Sequence, residues 1–95
     1  MSVRWTLQAR ESLQTILLHI AADDPAAAHA LIDQVVDSTE ATLGAHPMAG
    51  RPGRVAGTRE WVAHRSYVVA YRVTAWGDVD VLDVVHGARL WPGQF

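Results

Sequence analysis

From Thr58 to Pro92 the chain reads TREWVAHRSYVVAYRVTAWGDVDVLDVVHGARLWP, and this stretch limits what the rest can become. Three runs within it, Arg59 to His64, Tyr67 to Thr74 and Asp78 to His86, are dense in Val, Tyr or Trp. Such residues suit a pleated, half-buried surface. The breaks at Arg65-Ser66 and Trp76-Gly77 are too short for anything but hairpins, and Gly77 can supply a positive φ. The expected unit is a three-stranded antiparallel meander. Alternation puts Tyr67, Val69, Tyr71 and Val73 on one face of the middle strand, and Val68, Ala70, Arg72 and Thr74 on the other. In the last strand it sets Val79, Val81 and Val85 against Leu82 and Val84; His86 shares the face of Asp80, Leu82 and Val84, opposite Asp83. A strand apolar on both sides needs cover on both.

Upstream segments supply one cover. Ser2 to Trp5 alternates Val3 and Trp5 against Ser2 and Arg4, which allows a short additional strand. Thr6 is placed to cap a helix in which Leu13, Ile16, Leu17 and Ile20 form one buried stripe. Asp23-Asp24 before Pro25 marks a second helix start. That helix buries Ala28, Leu31, Ile32, Val35, Val36, Thr39 and Leu43, and Gly44 can end it. So short a link folds the two back as a hairpin. Gly44 to Gly57, with four Gly and two Pro, reads as an irregular loop. The expectation is a single α+β domain over residues 1–95, a helical hairpin packed on the meander, burying roughly 60–70% of its unfolded surface.

Composition removes several classes of function. Cysteine is absent, which excludes disulfides and thiolate metal sites and makes a reducing cytoplasm the default. No apolar run is long enough for a signal peptide or a membrane span. His19 and His29 on the helices lack any partner at metal-ligand spacing, so neither a metal nor another cofactor is expected. All eight basic residues are Arg, so no lysine-type general base exists. Residues 1–47 carry two Arg against six carboxylates, and residues 48–95 carry six Arg against four.

Some side chains have the chemistry of contacts or of catalysis. GRPGR lacks the Walker pattern, a preceding strand and a following Lys-Ser/Thr, which rules out a P-loop. Arg51 and Arg54 remain as contacts to an acidic partner or as solvated charges. Trp61 and Trp91 are divided between core packing and a binding surface, whereas Trp76 at a turn tip is expected to be exposed. His64 and His86 titrate near neutrality and, with Arg72 and Arg89, sketch an acid/base site. The simpler reading of His86 is a strand-end residue bonded to backbone. Glu60 is read as an ion-pair partner of Arg59 rather than as a base.

The order of short strand, helical hairpin, Gly/Pro-rich loop and meander, with GRPGRVAGTREWVAHRSYVVAYRV and the ending VLDVVHGARLWP, resembles the RelE/ParE family of bacterial toxins over essentially the whole chain. The resemblance implies a compact toxin encoded beside an antitoxin that wraps and silences it in a hetero-oligomer. RelE-like members cut mRNA in the ribosomal A site, and ParE-like members inhibit DNA gyrase.

RNA cleavage through the 2′-hydroxyl needs a proton acceptor, a cation for the phosphate and a proton donor for the leaving oxygen. RelE-like toxins resemble Y-R-L-V-Y-x-V in the middle strand; the matching stretch here is Tyr67 to Val73, with Val68 at the Arg position. The lysines of that branch have no counterpart, and the tail Gly87-Ala88-Arg89-Leu90-Trp91-Pro92 lacks its C-terminal His-Tyr or Tyr. The chain therefore resembles the ParE-like branch more closely. Its expected partners are an antitoxin and gyrase, with the ribosome and its mRNA as the alternative. Arg51, Arg54, Arg59, Trp61, Arg65, Arg72, Arg89 and Trp91 are the expected contact residues.

Overall fold

The computed structural model describes residues 2–87. The elements follow in the order β1 (Val3–Trp5), α1 (Leu7–Ala21), α2 (Pro25–Ala45), β2 (Arg51–Pro52), β3 (Arg59–His64), β4 (Tyr67–Val73) and β5 (Val79–His86). The strands form one sheet in the order β1-β5-β4-β3-β2. The meander is antiparallel throughout, and β1 joins its β5 edge in parallel, with Val3, Arg4 and Trp5 beside Val79, Asp80 and Val81. One strand was hidden in the loop: Arg51 and Pro52 pair with Glu60 and Arg59 at the other edge. Proline is tolerated there because its missing N–H faces outward.

Both helices start where local chemistry favours a start. The Thr6 hydroxyl accepts from the Ala9 amide at 3.2 Å and donates to the Val81 carbonyl at 2.8 Å, so one side chain caps α1 and ties it to β5. Asp24 accepts from the Ala27 amide, and Pro25 occupies the first turn of α2. The hairpin packs on the face formed by Tyr67, Val69, Tyr71 and Val73 of β4 and Val79, Val81 and Val84 of β5. Leu13, Ile16 and Ile20 of α1 and Leu31, Val35 and Leu43 of α2 close that core.

The last strand departs from simple alternation. Ala70 pairs with Asp83 but Tyr71 with Val81, so β5 carries a bulge that inverts its facing. Val84 therefore joins Val79 and Val81 in the core, and Val85 turns to the opposite face. His86 shares the face of Val84 and Tyr67, not that of Asp80 and Leu82. The Asp83 carboxylate accepts from the Ser12 hydroxyl of α1 at 2.5 Å and from the Val84 amide at 2.8 Å. With the bulge in place the Asp83 carboxylate meets the Ser12 hydroxyl and the Val84 amide, which compensates its burial next to the core.

Candidate functional site

Tyr71 and Arg59 fix the loop that leads from α2 into β2. The buried Tyr71 hydroxyl donates to the Pro47 carbonyl at 2.7 Å and accepts from the Gly50 amide at 2.8 Å. The Arg59 guanidinium donates to the carbonyls of Met48 and Gly50. A Cβ on Gly50 would lie 2.6 Å from the Glu60 carbonyl oxygen and 2.7 Å from the Tyr71 hydroxyl, so only glycine fits that approach. Arg59, expected as a partner contact, thus serves the protein's own backbone. Its expected ion pair with Glu60 does not form, because neighbours along a strand point to opposite faces. Glu60 pairs instead with Arg51, directly across on β2, at 3.2 Å.

The face away from the helices carries two distinct regions. Toward the β3–β4 turn, Val62, Val68 and Val85 stand side by side across three strands, with Val62 52% exposed. Toward the β4–β5 turn, Arg4, Asp80 and Arg72 form a row in which Arg4 and Asp80 bond at 2.9 Å. Arg72 is exposed and has no bonded partner among the described residues. Arg54 and Arg65 are exposed in the β2–β3 and β3–β4 connections, and Trp61 is half-buried against the core. Arg89 and Trp91 lie outside the described residues.

The imidazoles come together, but not with Arg72. His64 and His86 each stand directly across from Tyr67, with ring centroids 6.2 Å and 5.5 Å from it, the second edge-on. The Nδ1 of His64 accepts from the Ser66 amide, so the imidazole stabilises its own turn. Arg72 is five residues along β4, roughly 16 Å away and on the other face. Arg72 therefore does not join the acid/base site sketched with it, and Arg89, the other cation of that sketch, lies outside the described residues. Position 68 also faces away from the imidazoles, so a cation there would not share their side of the sheet.

The β4–β5 turn is held by its own hydrogen bonds and by β1. The Thr74 hydroxyl accepts from the amides of Trp76 and Asp78, at 3.3 and 3.1 Å, and Gly77 adopts φ +85°. The Ser2 amide donates to the Asp78 carboxylate at 3.0 Å. That bond, against some opposing desolvation and with help from the Ser2 hydroxyl and Arg4, holds the Asp78 carboxyl below its ordinary value. Trp76 stands out from this turn, 88% exposed. With Trp61 and Trp91 it is one of the aromatics that the sequence offers to a partner surface, although it is not among the expected contact residues, and its position between two strong strand signals marks it as a tip.

No group of His, Asp or Glu among the described residues could hold a metal ion, and no helix among them is long and apolar enough to cross a membrane.

The chain thus presents a helical hairpin on one face of a small sheet, with Arg and Val on the other. A solved structure described as the chromosomal ParDE TA system from P. aeruginosa superimposes with a TM-score of 0.80 at 27% identity, covering 90% of this chain and 95% of that one. A protein of Sinorhizobium fredii that carries the name "Putative toxin Y4kP" is 40% identical over 91 residues, which is 95% of this chain and 92% of that relative. Residues 3–91 match the family model described as the ParE toxin of type II toxin-antitoxin system, parDE, and the chain belongs to that family.

Proposed function

We propose that this toxin stops growth by binding DNA gyrase and holding it on cleaved DNA, in the cytoplasm and without a cofactor. A cognate antitoxin silences it in a hetero-oligomeric complex. The observation that carries this reading is the setting of Val68. It is buried between Val62 and Val85, where the cutting branch of the fold carries an arginine, and both imidazoles lie on the opposite face. Phosphoryl transfer needs a cation and an acid/base pair on one substrate, and among the described residues Arg72 does not stand with the imidazoles. The valine row offers an apolar segment of the antitoxin a place to dock, and Arg51, Arg54, Arg65, Arg72, Arg89 and Trp91 are the proposed contacts to antitoxin or target. Gyrase supercoiling reactions with purified toxin test the target, alongside primer extension on mRNA from translating ribosomes. Lost supercoiling with intact mRNA is expected; codon-spaced cuts with untouched supercoiling would reverse the assignment.

A second reading, a ribosome-dependent endoribonuclease, draws on the placement of His64 and His86 around Tyr67. It requires that a folded His86→Gln protein lose its toxicity. On the binding reading that variant arrests growth at the wild-type dose.

A further inference from the structure

Trp76 is 88% exposed, and its indole N–H has no partner among the described residues. The fold makes no use of this ring, yet holds its backbone tightly. The amides of Trp76 and Asp78 donate to the Thr74 hydroxyl, the Gly77 amide to the Thr74 carbonyl, and the Thr74 amide to the Asp78 carbonyl. The Val79 amide donates to the Ser2 carbonyl, which ties β1 into the same turn. A large aromatic on a turn already fixed loses little conformational freedom when it docks. Arg72, exposed and unbonded among the described residues, lies at the same end of the sheet. Trp and Arg are the residue types that dominate binding energy at interfaces.

The charges nearby indicate what kind of partner fits. Arg4 and Arg72 are matched by Asp78 and Asp80, so the tip has no excess of positive charge for a nucleic-acid backbone or an anionic lipid surface. A locally neutral anchor fits an apolar pocket on a protein. The tip is also at the far end of β4 from the valine row, so it stays clear of a segment docked there.

Building on the reading of the chain as a toxin that acts by binding, we propose that the β4–β5 tip, with Trp76 as anchor and Arg72 beside it, engages an apolar pocket on the toxin's protein target rather than the antitoxin. The test expresses wild type, Trp76→Ala, Trp76→Phe and Arg72→Ala without antitoxin, at matched soluble amounts, and scores growth arrest. Thermal melting and binding to the cognate antitoxin are measured on the same proteins. The Trp76→Ala dose required for equal arrest is expected to rise by roughly tenfold or more, with Phe intermediate and with melting and antitoxin binding unchanged. Arrest at the wild-type dose would overturn the proposal. So would an equal loss of antitoxin binding, which would make the tip an antitoxin contact, or a wild type that does not arrest growth. A wild type that arrests growth yet leaves purified gyrase active would sink the gyrase reading alone, with the tip still judged by growth arrest.

Discussion

Tyr71 shows how much one side chain can organise. Its ring is fully buried among the core residues, and its hydroxyl satisfies both the Pro47 carbonyl and the Gly50 amide. Tyr71→Phe keeps the ring and strands both backbone groups, at a cost of about 1–3 kcal/mol. The expected result is a fall in melting temperature of at least 4 °C or so, without loss of fold. Asp78 makes a different contribution, through its charge. Its folded-state pKa is depressed below the ordinary 3.8, mainly by the Ser2 amide. Its stabilising contribution is therefore complete above the unfolded value and lost as pH falls through the lower folded value. Asp78→Asn should flatten the acid limb of the stability profile below about pH 4 and leave the profile from pH 6 to 8 parallel to wild type. Chemical denaturation across that range would show whether it does.

At the scale of elements, β5 is held in register by α1. Asp83 receives the Ser12 hydroxyl and the Val84 amide, and this pins the bulge that turns Val84 inward. Asp83→Ala should destabilise by about 1–3 kcal/mol, more than Ser12→Ala, because it also leaves a backbone amide without a partner. Denaturant melts of the two single variants and the double variant would reveal the coupling. The bulge was not legible in VDVLDVVH because Val or Leu stands on both sides of the strand, and alternation alone cannot register a slip. Only Asp83, a carboxylate next to the core, hinted at it. The caps at Thr6 and Asp24, the meander and the positive φ at Gly77 were readable because short-range chemistry decides them. β2 was not, since two residues in a Gly/Pro-rich loop become a strand only through Glu60 and Arg59 opposite them. Residue type marks an Arg as able to bind, but only tertiary placement separates Arg59, bonded to carbonyls, from the exposed Arg72.

Taken whole, the molecule has two unlike sides. Asp33, Asp37 and Glu40 are exposed on α2, and Asp23 and Asp24 at the helical link. Arg51, Arg54, Arg65 and Arg72 are exposed on the sheet and its connections. Such a division orients an approaching partner and makes association faster at low salt. The antitoxin on-rate should fall as salt rises from about 0.05 to 0.5 M, while the off-rate, set in the proposed docking by apolar contacts to the valine row, changes far less. Surface plasmon resonance across that series would read both. The central claim is that this member of the ParE family disables its target by binding and not by cutting. Gyrase supercoiling in the presence of a molar excess of purified toxin tests it most directly. The account requires that supercoiling stop and that linear DNA appear once gyrase is denatured; fully supercoiled DNA, from a toxin preparation that still arrests growth, would contradict it.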